Sequence, residues 1–160
     1  PISSPAIKTA LTNTCWPGRL QLLQAGPQRH VLLDAAHNPA AASALASYLA
    51  EMYPQKLPLV FAASRDKDVN GIIRVLVPHI TKVICVQLKT TRTWSSTELN
   101  ASIVANHPSI ATTTSDAPQA ALEVAWLEQE IVVAAGSVYL AGEITHLLDP
   151  SANTVEGRPR

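Results

Sequence analysis

Residues 30–39 read His30-Val31-Leu32-Leu33-Asp34-Ala35-Ala36-His37-Asn38-Pro39, and this decade decides the fold. Val31, Leu32 and Leu33 form an unbroken apolar run, as a strand does when both of its faces are covered; a one-sided strand would alternate. Asn38 and Pro39 read as a helix start, a capping side chain followed by a residue whose fixed φ suits the first helical position. A doubly covered strand that passes straight into a helix is half of a βαβ unit. Asp34 and His37 then stand at the carboxyl end of the strand. In open α/β sheets ligands bind at that edge, and a helix N-terminus there offers free N–H groups to an anion.

The same alternation extends in both directions. Strands are expected at roughly residues 19–24, 30–35, 57–63, 82–88, 109–114 and 131–135. Between them, Ala41, Leu45, Tyr48, Leu49 and Met52 recur at helical spacing until Pro54 forbids continuation. Asp68 is placed to cap a helix carrying Val69, Ile72, Ile73 and Leu76, and Ser95 with Glu98 has the spacing of a capping box ahead of Leu99 and Ile103. Ser115 or Asp116 is expected to open a helix with Ala121, Val124 and Leu127, and Gly136-Ser137 one with Leu140, Ile144 and Leu147. The first dozen residues show no clear period, and residues 149–160 hold almost nothing apolar and read as a loose tail. The fold class expected is three-layer α/β/α, with a Rossmann-like, mostly parallel sheet of about six strands.

Composition narrows the partners. A chain of 160 residues makes one domain able to bury a full core. Its 12 basic and 12 acidic residues cancel, and no Lys/Arg run appears, so the electrostatic footprint of a nucleic-acid binder is missing. Cys15 and Cys85 are too few for a disulfide framework or a four-ligand zinc site, which points to a reduced, cytoplasmic setting. No uncharged apolar stretch is long enough to span a bilayer, so no membrane partner is expected. The chain begins with Pro1 instead of Met and is expected to be a piece of a longer protein.

Four places can carry chemistry, and each also has a plain structural reading. Trp16-Pro17-Gly18-Arg19 is a Pro-Gly turn beside an exposed Arg, or a stiff turn that aims a guanidinium at phosphate or carboxylate oxygens. Asp34 and His37 satisfy local backbone groups, or accept from ribose hydroxyls and orient a nucleophile or phosphoryl oxygen. In Ser64-Arg65-Asp66-Lys67-Asp68 four charges form a solvated turn, and only the position after a strand raises Lys67 above that. Gly136-Ser137 is a tight turn with an N-cap, or a hydroxyl and N–H pair offered to an anion. No Gly-x-x-x-x-Gly-Lys-Ser/Thr loop, no Gly-x-Gly-x-x-Gly and no Gly-x-Ser-x-Gly elbow occurs.

Taken in order, Trp16-Pro17-Gly18-Arg19-Leu20, Leu33-Asp34-Ala35-Ala36-His37-Asn38-Pro39, Asp66-Lys67-Asp68 and Gly136-Ser137-Val138-Tyr139-Leu140 resemble the C-terminal domain of the folylpolyglutamate synthase / dihydrofolate synthase branch of the Mur ligase family. The resemblance covers residues 16–148, with residues 1–15 as a linker from an N-terminal ATPase domain that this chain lacks and 149–160 as the tail. It implies ATP-dependent addition of L-glutamate to dihydropteroate or a folate through an acyl phosphate. It further implies that Arg19 meets the ATP phosphates and Asp34 the ribose, that His37 and Ser137 lie by the acyl phosphate and incoming glutamate, and that Lys67 joins them. The P-loop and the Mg²⁺ ligands would belong to the N-terminal domain in cis, so this chain alone is expected not to catalyse, and the enzyme is expected to be a monomer. Three positions depart from the family pattern: Ala35 stands for a usual Gly, Ala135 for a Thr before the Gly-Ser pair, and Thr91-Arg92 for a Pro-Arg pair. The competing readings are another Mur-type amino-acid ligase domain and a non-catalytic α/β ligand-binding module.

Overall fold

The protein's computed structural model describes residues 2–13 and 16–148, with the side chains of 10–13 left aside. Cys15 and the expected tail at 149–160 lie outside the described residues. In chain order the elements are α1 (Ser4–Asn13), β1 (Gln21–Gln24), β2 (His30–Asp34), α2 (Pro39–Met52), β3 (Leu57–Phe61), α3 (Val69–Leu76), β4 (Ile80–Val86), α4 (Ser96–Asn106), β5 (Ala111–Ser115), α5 (Pro118–Trp126), β6 (Ile131–Ala135) and α6 (Val138–Leu148). The six strands form one sheet in the order β1-β2-β6-β3-β4-β5. Only the edge pair β1/β2 is antiparallel; the other four pairings are parallel.

The apolar runs are continuous because both faces of the sheet are covered. Leu32, Leu59, Phe61, Val83, Cys85 and Val133 pack in one cluster with α2, α3 and α4, whereas Val31, Leu33, Val60, Ile84, Val132 and Ala134 pack on the opposite face with α5 and α6. Successive residues of a strand thus serve different clusters, and every one of them is apolar. The caps follow the sequence. Asn38 Oδ1 accepts from Ala41 N at 2.8 Å, Asp68 accepts from Gly71 N at 2.8 Å, and Ser95 with Glu98 closes a full capping box.

Three expectations are corrected. Residues 4–13 form α1, although its sequence lacks a buried stripe; its described side chains, at 4–9, are exposed, so nothing in the core had imposed a period. Neither Ser115 nor Asp116 caps α5. Ala117 occupies the N-cap with no side-chain bond, and Pro118 sets the first turn, while the Ser115 hydroxyl donates to Ala117 O at 3.0 Å. β4 begins at Ile80 and ends at Val86; Leu88, expected within the strand, is buried in the α5/α6 cluster from the loop, since burial does not require a place in the ladder.

The topology fixes where a ligand can sit. β2 and β3 hand the chain to α2 and α3 on one face, whereas β6, which lies between them, hands it to α6 on the other. Neighbouring strands that depart to opposite faces leave a crevice at their carboxyl ends. At that point Gly136 takes φ 102°, and a Cβ there would collide with the Phe61 ring and the Ala62 carbonyl oxygen, so only glycine lets the chain turn out of β6.

Candidate functional site

On one side of the crevice stands the turn before β1. Arg19 N donates to Trp16 O at 3.2 Å, and Gly18 takes φ 67°. Leu20 follows at φ 43°, a left-handed conformation that costs a bulky residue roughly 1–3 kcal/mol and persists only where its surroundings enforce it. Asp34 does the enforcing. Its Oδ2 accepts from Leu20 N at 3.0 Å and its Oδ1 from Ala36 N at 2.8 Å, while Ala35 N donates to Gly18 O at 2.8 Å. Asp34 is 7% exposed, so its carboxylate is a buried staple between the end of β2 and the turn. Each oxygen accepts one backbone bond and keeps a further lone pair for an outside donor.

Arg19 Nη1 lies 3.9 Å from Asp34 Oδ1, too far for a hydrogen bond, with the guanidinium side chain 46% exposed. The arginine is oriented by charge while its fork of donors stays open to an anion. Beside it, the turn and α6 enclose a hollow of about 340 Å³ lined by Gly18, Ala35, Val138, Ala141, Gly142 and Thr145.

Ser137 and His37 lie at the middle of the edge. The register aligns Asp34 with Ala135 and Phe61 with Ala135, so the ends of β2, β6 and β3 are level. Ser137 is buried, and its Oγ accepts from Tyr139 N at 3.1 Å, which makes it the opening residue of α6. His37 is partly buried, and its Nδ1 is enclosed with no hydrogen-bond partner among the described residues.

The other side of the crevice is ionic. Lys67 Nζ bonds Asp66 Oδ2 at 2.7 Å. That hydrogen bond holds the Asp66 carboxyl below the usual range, and the charge of Lys67 adds to it. From the loop after β4, Arg92 Nη1 donates to Tyr139 Oη at 3.1 Å, and this bond raises the guanidinium pKa further. Ser64, Arg65, Asp66, Lys67, Arg92 and Tyr139 line a hollow of about 440 Å³. Of its three cations, Arg65 is paired to Glu98 and Lys67 to Asp66, whereas Arg92 meets only a phenol in the bonds observed.

The structure therefore brings Arg19, Asp34, Ser137, His37 and Lys67 to one edge, where two hollows meet at the first turn of α6; of the five, Lys67 lines one of them and Arg19 and Asp34 flank the other through their neighbours Gly18 and Ala35. Val138 lines one hollow and Tyr139 the other. Arg92 and Tyr139 belong to the site although the sequence alone did not single them out as ligand groups. The sequence signals were weak: Arg92 follows the fourth strand as Lys67 follows the third and stands where the family pattern has the Arg of a Pro-Arg pair, and Tyr139 falls within the Gly136-Ser137 motif. Cys85 is no nucleophile, since burial pushes its thiol up to about 12. Among the described residues no three His, Cys, Asp or Glu side chains converge on a metal site, and no helix is long and apolar enough to cross a membrane.

Together these features define a three-layer α/β/α domain with a switch-point crevice, an open arginine on one side of it and three clustered cations on the other. Residues 18–138 match the pattern of the Mur ligase family's glutamate ligase domain, and the chain belongs to that family. It is 32% identical over 145 residues to a probable bifunctional folylpolyglutamate synthase/dihydropteroate synthase of Haloferax volcanii, a match that takes in 89% of this chain and 17% of that protein. Among solved structures it is similar to the Mycobacterium tuberculosis folylpolyglutamate synthase complexed with ADP and AMPPCP, at TM-score 0.84 and 28% identity over 92% of this chain and 36% of that one. It is also similar to a bifunctional folylpolyglutamate synthase/dihydrofolate synthase with Mn, AMPPNP and L-glutamate bound, at TM-score 0.71 and 27% identity over 92% of this chain and 35% of that one. The chain thus spans about a third or less of the length of these relatives.

Proposed function

We propose that this chain is the glutamate-side domain of an ATP-dependent cytoplasmic ligase that adds L-glutamate to dihydropteroate or a folate through an acyl phosphate. The observation that carries the reading is the division of the edge: Arg19, with spare donors, follows the turn that walls one hollow, Lys67 and Arg92 line the other, and Ser137 opens the helix between them. Such a ligase must hold a polyphosphate and a dicarboxylic amino acid side by side, so that a phosphorylated carboxyl group lies between them.

In this reading Arg19 meets the phosphates of ATP, which are otherwise held by a P-loop domain in cis, and the free lone pairs of Asp34 accept from the ribose. A carboxylate oxygen of the acceptor substrate attacks the γ-phosphorus, and ADP leaves. The glutamate amine then attacks the acyl carbon, inorganic phosphate leaves, and the amine gives up a proton. Lys67 and Arg92 take the two carboxylates of glutamate, and His37 and Ser137 orient the amine and the acyl phosphate. Positioning and charge stabilisation are the main contributions a protein makes to phosphoryl and acyl transfer of this kind. Mg²⁺ neutralises phosphate charge in such chemistry and is assigned here to ligands in the N-terminal domain.

The test is ADP release by the full-length enzyme, followed as a function of both glutamate and the pterin acid. Release that requires both substrates, with Arg92→Met raising the glutamate KM about ten-fold at unchanged ATP KM, is the expected result. ADP release indifferent to glutamate would overturn the assignment, and release by this chain alone would overturn the division of labour between the domains.

A further inference from the structure

The two loops that carry Lys67 and Arg92 are joined by a clip with no part in the chemistry proposed above. An isolated antiparallel bridge pairs Ser64 with Thr93, Arg65 N donates to Arg92 O at 3.0 Å, and Trp94 N donates to Ala63 O at 3.0 Å. The backbone of Arg92 is held from the other side too, where its N–H donates to Thr90 Oγ1 at 3.3 Å. Over this short ladder the Arg65 side chain closes a lock. Its Nη2 lies 2.7 Å from Glu98 Oε2, and its Cζ lies 5.7 Å from the centre of the Trp94 ring. Glu98 is fixed in turn, because Ser95 Oγ donates to the same Oε2 at 2.7 Å and Ser95 N at 3.1 Å in the capping box of α4. The ion pair is half exposed, at 52% and 48% of the two side chains, and contributes little to stability for that reason. Its use lies in geometry.

We propose that Arg65, Trp94 and Glu98 form a positioning clip that sets the separation of Lys67 from Arg92, and thereby the length of the dicarboxylic amino acid the ligase accepts. The inference rests on the glutamate site proposed above. Lys67 and Arg92 come from different βα units, on loops that are joined among the described residues by the bonds just named, and both line one hollow. Two cations that must meet the two ends of one small molecule discriminate its length only if their spacing is fixed. Glutamate and aspartate differ by one methylene, which a rigid site distinguishes by about ten- to two-hundred-fold. With the Arg65 side chain released from Glu98 and Trp94, only the short backbone ladder is left of the clip, and the spacing is held less firmly.

The experiment compares Arg65→Met, Glu98→Gln and the double variant in the full-length ligase, with L-glutamate and L-aspartate as alternative substrates. Gln at position 98 can still complete the capping box, so α4 keeps its start while the ion pair is lost. Each variant is expected to raise the glutamate KM about ten-fold, change kcat less than about two-fold and leave the ATP KM unaltered. The preference for glutamate over aspartate in kcat/KM should fall by about ten-fold, and the double variant should be no worse than Arg65→Met, since both residues act through one contact. Wild-type glutamate KM and selectivity in either stably folded variant would overturn the clip, as would an equal rise in ATP KM, which marks general loosening. Should Glu98→Gln unfold α4, Arg65→Met carries the test, because Arg65 takes no part in the cap. A wild-type enzyme with no glutamate-dependent turnover would refute the site itself; an active wild type matched by its variants would refute only the clip.

Discussion

The two hollows at the carboxyl edge are built by opposite means. Beside Arg19 the first is walled by a turn at Pro17 and Gly18 whose course is held through Leu20 N by a carboxylate that is 7% exposed, and by a helix face of small residues. Around Lys67 and Arg92 the walls are long charged side chains in exposed pairs. The first hollow cannot change shape without breaking buried hydrogen bonds, so function and stability are coupled there. The second is adjustable at little cost in stability, and its specificity depends on whatever fixes the loops. In the function proposed above the fixed wall meets a phosphate chain, which presents the same oxygens in every nucleotide, and the adjustable one meets an amino acid.

The hardest test of that contrast is Asp34→Ala. The change removes the acceptor for Leu20 N and Ala36 N and relieves the constraint on a strained turn. Two backbone donors left unpaired near the core cost about 1–3 kcal/mol each, partly recovered where water enters. Thermal unfolding of the variant should fall well below that of the parent, and turnover of the full-length enzyme should collapse with it, by more than the loss from Arg19→Ala. An unaltered melting temperature would show that the first hollow is not held by Asp34 and would erase the distinction between the two regions.

Arg19→Ala separates the roles within the first hollow. Its guanidinium makes no hydrogen bond to Asp34, so its removal should leave the melting temperature within about a degree while turnover drops roughly a hundred- to a thousand-fold, as the loss of one phosphate-stabilising group worth about 2–4 kcal/mol requires. Near-normal turnover in steady-state assays would remove Arg19 from the nucleotide site.

These two predictions also mark how far the sequence could be read. Asp34, His37 and the start of α2 were legible because an apolar strand ending at Asn38-Pro39 combines two strong local signals. The capping box at Ser95 was legible for the same reason. The staple from Asp34 to Leu20 was not, since it joins residues 14 apart and depends on a φ that no residue type announces. Gly136 could be read as a turn, but its need for glycine arises from Phe61 and Ala62 on a strand far away in sequence. Arg92 sits in an exposed loop of polar residues where any cation looks solvated, and its bond to Tyr139, 47 residues away, is not written in the local sequence. α1 left no trace because its described side chains are exposed, and periodicity records burial.

His37 and Ser137 lie where the two hollows meet, so their variants ask whether the regions act as one. His37→Ala and Ser137→Ala should each lower kcat/KM for glutamate by about ten- to a hundred-fold with ATP affinity preserved, and the double variant should lose less than the product of the two. Full additivity would mean that the two groups serve separate steps. Weakened ATP binding with normal glutamate kinetics would move both residues to the first hollow.

The smallest effect concerns pH and belongs to the second region. Hydrogen bonds from Ser95, then the bond from Arg65, hold the Glu98 carboxyl down at about 2, against an ordinary value of 4.5. A group whose pKa is lowered on folding binds its proton more readily in the unfolded chain. Its contribution is therefore complete above about pH 4.5 and is lost as pH falls towards about 2. The group is half exposed, so the contribution is small and further reduced by salt. Denaturant titrations of the parent and Glu98→Gln between pH 6 and about pH 2 should show a stability difference that shrinks steadily across that window. Raising salt at pH 6 should shrink it too, with no comparable response at Asp34→Ala, whose defect is one of unpaired backbone groups. A Glu98→Gln difference that stays constant down to pH 2 would mean that the clip is held by packing against Trp94 and the cap alone, and the contrast between a bonded wall and an ionic one would have to be redrawn around the ring.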